Sequence, residues 1–140
     1  MSDAAAYALT PAQEAELAAR ALDARQWSYS PYSHYAVGAA LLTASGKIYD
    51  GANVENAAYP DAICAEVVAA VKAVSAGERE FVAVAVVTTN NGMPCGSCRQ
   101  FLSEFGLDTV VLIASLDGQI IKRTTVRALL PDSFGPEQLR

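Results

Sequence analysis

Histidine, lysine and cysteine are scarce in this 140-residue chain: one His (His34), three Lys (Lys47, Lys72, Lys122) and three Cys (Cys64, Cys95, Cys98). Ten Lys and Arg stand against fifteen Asp and Glu, for a formal net charge of -5 and a pI near 4.7. That balance excludes the clustered basic surface a nucleic acid polymer or an anionic membrane requires, and leaves a small, neutral substrate open. No stretch approaches the roughly 20 apolar residues of a membrane span. Residues 1–7 lack both basic residues and a signal-peptide apolar run, so the expectation is a cytoplasmic protein with reduced thiols. An odd number of cysteines, two of them spaced C-x-x-C, argues against a disulfide framework.

What is present suits a packed core: 52% of residues are hydrophobic and 18% charged. No internal repeat or linker interrupts residues 1–140, so one domain is expected. Thr10, Pro11 and Gln13 form a helix-start signal, with Thr10 as N-cap and Gln13 completing a capping box; the helix should span 11–25. Residues 37–43 and 47–50 flank the turn residues Ala44, Ser45 and Gly46 and read as a hairpin. A helix is expected over 62–76, closed by Gly77. Residues 81–88 are apolar without alternation, as in a strand buried on both faces. A loop at 89–92 leads to a helix over 95–105, ended by Gly106. Residues 109–115 and 119–124 flank Asp117-Gly118, a second hairpin signal, and a short helix at 126–130 stops at Pro131. The order α-β-β-α-β-α-β-β predicts an α/β fold with one mixed five-stranded sheet between two helical layers.

Within the helix expected over 62–76, the stretch from Ala62 to Val71 is apolar almost all round, which marks a buried helix. Glu66 is the exception, and positions three and four residues away (Ile63, Ala62, Ala69, Ala70) offer no cation. A buried carboxylate must meet a charge from elsewhere, take up a proton or face a cavity. A partly exposed first turn, where acid suits the helix dipole, accommodates Glu66 equally well. Cys64 precedes it by two residues, and Pro94-Cys95-Gly96-Ser97-Cys98 places two more thiols on one face of a helix start. C-x-x-C alone fits a redox pair, but the chain lacks the strand order such a motif accompanies. C-x-E together with P-C-x-x-C is far more specific. Three soft thiolates suit Zn²⁺, leave its fourth position open, and place a carboxylate beside it. Two other readings stand against this one. His34 could close a structural Cys₃His site without catalysis, or serve a Cys-His nucleophile.

The chain resembles the short, three-cysteine, homotetrameric cytidine deaminases. The resemblance is carried by Pro31-Tyr32-Ser33, Val37-Gly38-Ala39-Ala40-Leu41-Leu42, Asn53-Val54-Glu55-Asn56-Ala57, Cys64-Ala65-Glu66 and Pro94-Cys95-Gly96-Ser97-Cys98-Arg99-Gln100. It implies a three-layer α/β/α cytidine-deaminase-like fold and deamination of cytidine and deoxycytidine to uridine and deoxyuridine, in pyrimidine salvage. It implies one Zn²⁺ per subunit on Cys64, Cys95 and Cys98. Glu66 would be the catalytic proton carrier between water, ring N3 and departing ammonia. Asn53 and Glu55 would grip the ribose 3′-hydroxyl, and Ala65 would contact the substrate. Tyr35 stands where the family usually has a Phe against the base, a mild exchange provided the phenol finds a partner. Ala57, Tyr59 and Phe134 match positions that subunits of the homotetramer lend to one another's pockets.

One departure concerns the metal. The family typically reads Cys-Ala-Glu-Arg, with the arginine offsetting thiolate charge, whereas this chain has Val67. Two helix N-termini and Arg99 remain to compensate. Valine at this position is also similar to blasticidin S deaminases, which act on a bulkier cytosine antibiotic, although these do not keep the stretch from Glu55 to Tyr59. Deamination of modified cytosine nucleosides is therefore the alternative activity, and the non-catalytic zinc module with His34 the alternative without activity. Nucleotides are disfavoured because the motif loops hold no phosphate-binding cation apart from Arg99.

Overall fold

In the computed structural model, which describes residues 8–140, the local signals at the first helix are all realised. Helix α1 spans Pro11–Arg25. Thr10 accepts from the Gln13 N–H at 3.1 Å, while the Gln13 side chain accepts from the Thr10 N–H at 2.9 Å. The charge reading of residues 1–7 lies outside the described residues. The chain continues through β1 (Gly38–Thr43), β2 (Ile48–Ala52), α2 (Ala65–Ser75), β3 (Phe81–Val87), α3 (Gly96–Ser103), β4 (Val110–Ala114), β5 (Ile120–Thr125) and α4 (Val126–Leu129). Short 3₁₀ turns at Tyr59–Asp61 and Pro136–Leu139 were not foreseen.

The five strands form one sheet in the order β2-β1-β3-β4-β5. Only β3 and β4 run parallel; the other pairs are antiparallel, so the sheet is mixed as expected. Alternation along the central strands sorts side chains between the two faces. Ala40, Leu42, Ala83, Ala85 and Leu112 pack with Leu17, Ala18 and Ala21 of α1. Leu41, Val84, Val86, Val111 and Ile113 pack with Ala69 and Ala73 of α2 and Leu102 of α3. Helices therefore cover both faces, the three-layer arrangement the order of elements predicts.

The register decides where a site can form. Gly38, the first residue of β1, pairs with Ala52 at the end of β2 and with Val87 at the end of β3. Segments 33–37, 53–55 and 88–93 consequently emerge at one end of the sheet. Helix α2 is held close to the edge strand: a Cβ on Gly51 would stand 2.7 Å from the Ala69 nitrogen and 2.9 Å from the Ala65 carbonyl oxygen. Only glycine allows this approach of helix backbone to strand backbone.

Most boundaries differ from expectation by a residue, and three elements differ by more. Helix α2 starts at Ala65 rather than 62, because Ile63 is held extended: its N–H donates to the Val54 carbonyl at 2.8 Å and its carbonyl accepts from Val54 at 2.9 Å. Helix α3 starts at Gly96 and ends at Ser103, and the Phe105 carbonyl instead accepts the Phe81 N–H at 3.1 Å. Strand β2 runs on to Ala52 through its pairing with Gly38. The apolar girth of α2 also does not mean burial all round. Ala65, Glu66, Ala69, Ala70 and Ala73 face inward, while Val67 and Val68 are half-buried and Val71 is exposed.

Candidate metal centre and active site

Two of the three cysteines are N-caps. Cys64 caps α2 and Cys95 caps α3, and neither side chain makes a capping bond to the backbone of its helix, so both thiols are free to face each other. Their Sγ atoms are 3.9 Å apart, and Cys98, one turn into α3, places its Sγ 3.4 Å from that of Cys95. All three sulfurs lie within 4.8 Å of one another, and this is the only such cluster of metal-ligating atoms among the described residues. Zinc–sulfur bonds of about 2.3 Å at tetrahedral angles put ligand sulfurs roughly 3.8 Å apart. The donor set and its spacing therefore fit a zinc ion.

Hydrogen bonds from Cys98 and then Cys95 outweigh burial and bring the Cys64 thiol down to about 6. The same bond to Cys64, together with burial, pushes Cys98 strongly up. Arg99 donates Nε to the Pro94 carbonyl at 2.7 Å and Nη1 to the Leu129 carbonyl at 2.9 Å. It braces the loop that delivers Cys95, in place of the surface salt bridge that is the ordinary role of such a residue. His34 is exposed, with φ 57°, and stands outside the sulfur cluster. It gives the closed Cys₃His reading no support.

Glu66 is only 4% exposed, so the partly exposed first turn does not describe it. Burial, joined by the charge of Cys64, pushes its carboxyl up to about 7, against smaller opposing hydrogen bonds from its own backbone N–H and from Cys98. Glu66 and Cys64 share a cavity of about 270 Å³ with Tyr35, Asn53, Glu55 and Ala65. Six residues singled out from the sequence thus meet around one space. Ala57, Tyr59 and Phe134 do not line it within this chain. Tyr59 and Phe134 are 71% and 56% exposed, and Ala57 is exposed as well.

Asn53 and Glu55 are heavily engaged with the protein. Asn53 Oδ1 accepts from the Val37 N–H at 3.0 Å and from the Ser28 hydroxyl, while Nδ2 donates to the Tyr35 carbonyl at 2.9 Å. One Nδ2 hydrogen is left over from this set. Glu55 accepts from the backbone N–H groups of Tyr32 (2.9 Å) and Ser33 (3.1 Å) and from the Ser33 hydroxyl. These bonds, the Ser33 hydroxyl foremost, hold its carboxyl below the usual range.

Sequence reasoning missed Ser28, Ser33, Thr88, Asn90 and Gly92 as parts of this site. Pro31-Tyr32-Ser33 stood out as a motif, but nothing in it announces that Ser33 serves Glu55, 22 residues on. Thr88 and Asn90 carry no motif at all.

Residues 11–114 match the family model described as the cytidine and deoxycytidylate deaminase zinc-binding region. A cytidine deaminase of Sporosarcina psychrophila is 47% identical over 127 residues, covering 89% of this chain and 93% of that protein. One from Halalkalibacterium halodurans is 46% identical over 122 residues, covering 85% and 92%. The crystal structure of the cytidine deaminase from Burkholderia pseudomallei superimposes with a TM-score of 0.81 at 41% identity, over 90% of this chain and all of that one. On these matches the chain belongs to the cytidine deaminase family, with residues 11–114 corresponding to that family's zinc-binding region.

Proposed function

We propose that the enzyme, as a single domain over residues 1–140, hydrolyses free cytidine and deoxycytidine to uridine and deoxyuridine, with one zinc ion per subunit on Cys64, Cys95 and Cys98. The observation that carries this reading is the buried Glu66 carboxyl, near neutrality in its proton affinity, sharing one cavity with Cys64 at the sulfur cluster. Zinc held by the three sulfurs supplies a Lewis acid that makes water nucleophilic near neutral pH.

The chain's own groups do the rest. Glu66 takes a proton from water as its oxygen bonds to C4 and delivers that proton to ring N3; it then carries the proton of the new C4 hydroxyl to the amino nitrogen, so that C4=O forms, C4–N breaks and ammonia leaves. A carboxyl near 7 suits both directions of transfer. Tyr35 and Ala65 wall the base. The remaining Asn53 Nδ2 hydrogen donates to the ribose 3′-oxygen, and the 3′-hydroxyl donates to Glu55, which Ser33 keeps ionised. Cavity-lining residues include no Lys or Arg, and their charged members are Glu55 and Glu66. A 5′-phosphate would meet repulsion there, which favours nucleosides over nucleotides.

Ala57, Tyr59 and Phe134, outward-facing in one chain, fit the role of residues lent to a neighbour's pocket in a homotetramer. Pyrimidine salvage in the cytoplasm is the setting such an activity serves. Among the described residues no helix is long and apolar enough to cross a membrane.

Ultraviolet-monitored deamination by zinc-quantified protein tests the reading, with cytidine, deoxycytidine, CMP and blasticidin S as substrates and Glu66→Ala alongside. Nucleoside turnover that vanishes in the variant is expected, with CMP inert. Turnover of blasticidin S alone moves the enzyme to the antibiotic branch that Val67 suggests. Silence on every substrate with zinc bound overturns the assignment.

A further inference from the structure

A hydroxyl on the ring at position 35 needs an acceptor and room, and the protein supplies both. The Tyr35 hydroxyl donates to Asn90 Oδ1 at 2.7 Å. Beside it, a Cβ on Gly92 would stand 2.4 Å from the hydroxyl oxygen and 3.3 Å from Asn90 Oδ1. Gly92 is not in the left-handed region, so the demand for glycine here is spatial. The loop that carries Asn90 is itself fastened at two points. Buried Thr88 accepts the Gly92 N–H at 2.8 Å, and its hydroxyl reaches Asn90 Oδ1 at 3.4 Å. Arg25 donates to Thr89 Oγ1 at 2.8 Å and to the carbonyl of Ala36, next to Tyr35, at 3.0 Å.

We infer that Asn90 is a positioning residue for nucleoside binding, fixing the aromatic wall of the pocket through the hydroxyl of Tyr35. This inference rests on the nucleoside reading proposed above. Asn90 is exposed and does not line the cavity, so it acts through the ring. A wall already held in place loses no freedom when substrate binds, whereas a free ring must be ordered at the cost of affinity. Glu66 and the cysteines sit on or cap α2 and α3 and take no part in the hydrogen bonds that hold Asn90. The effect therefore falls on KM rather than kcat.

Steady-state kinetics with cytidine on a double-mutant cycle test it: wild type, Asn90→Ala, Gly92→Ala, Tyr35→Phe, and each of the first two combined with Tyr35→Phe. Asn90→Ala and Gly92→Ala should each raise KM about fivefold, the worth of one neutral hydrogen bond, with kcat held within about twofold. In the Tyr35→Phe background neither should raise KM further, because the hydroxyl each one disturbs is gone. Asn90→Asp, which keeps an accepting oxygen, should restore KM. An equal rise in both backgrounds marks a general loosening of the loop and overturns the inference, as does no rise in either. A wild type that fails to turn over cytidine removes the nucleoside reading, and this inference with it. Turnover with an unsuppressed cycle removes this inference alone.

Discussion

The Sγ of Cys64 stands 3.9 Å from the Sγ of Cys95, across 31 residues of sequence and from the start of a different helix. Two helix N-termini converge on the pair, and the Cys64 thiol is brought down to about 6, chiefly by its hydrogen bond with Cys98.

Replacing any one of these ligands should strip the metal. Cys98→Ser is expected to lose zinc and activity together, read by atomic absorption on protein purified without added metal. Binding should also weaken as pH falls, because thiols must release protons to ligate. A Cys98→Ser protein with a full zinc complement would contradict the ligand set.

Glu66→Gln keeps the size of the side chain and removes its proton transfer. Zinc content should stay at the wild-type level while kcat falls by about 10²–10⁴-fold, the usual range for a general acid–base group. Activity within tenfold of wild type would take Glu66 out of the chemistry.

The Ser33 hydroxyl is the largest influence keeping the Glu55 carboxyl below its ordinary range. Ser33→Ala should let that carboxyl rise, so that Glu55 protonates at a higher pH and stops accepting from the ribose. The acid limb of the pH profile for 1/KM should accordingly move toward neutrality. The shift should disappear with 3′-deoxycytidine, which offers Glu55 nothing to accept.

Gly51→Ala tests how α2 is seated. Its Cβ would fall within 3 Å of two backbone atoms of the helix. The helix must shift, at a cost of about 1–3 kcal/mol in stability. A lower Tm by calorimetry and weaker zinc retention should appear together, since Cys64 caps this helix.

Acid stability should depend on Glu14. Its two oxygens accept from Arg123 Nε at 2.9 Å and Nη2 at 2.6 Å, joining α1 to strand β5. The hydrogen bond from Arg123 is the main cause that lowers the Glu14 carboxyl. A carboxyl lower in the folded than in the unfolded state stabilises above the unfolded value, and that contribution fades as pH falls through the folded value. Melting curves of wild type and Glu14→Gln should therefore differ near neutrality and converge in acid.

Legibility followed the range of the interactions. The Thr10–Gln13 box and the thiols of Cys95 and Cys98 involve residues three apart, and both were readable directly. The start of α2 was misread because residues 62–64 look helical in composition, while a bridge to Val54, across the loop that precedes them, keeps Ile63 extended. Apolarity marked α2 as buried without saying which side would meet this chain's own core, and Val71 lies on the other side. Ser33 and Asn90 stayed invisible for the same reason. Their partners lie 22 and 55 residues away, and a serine or asparagine in a loop is unremarkable by itself.

The Val54–Ile63 bridge also sets where this chain can change length. It clips together the two ends of the segment that holds Ala57 and Tyr59, so residues inserted at the tip, around 57–60, would lengthen a closed loop and leave both ends where they are. A single residue added between Ile63 and Cys64 would instead rotate the cap of α2 and turn its sulfur away from Cys95. For folding and zinc retention within one chain, neighbouring positions thus divide into a tolerant tip and an intolerant hinge, and insertion scanning scored on zinc content should show an abrupt boundary at Ile63, even where tip insertions displace Ala57 and Tyr59 from a neighbouring subunit.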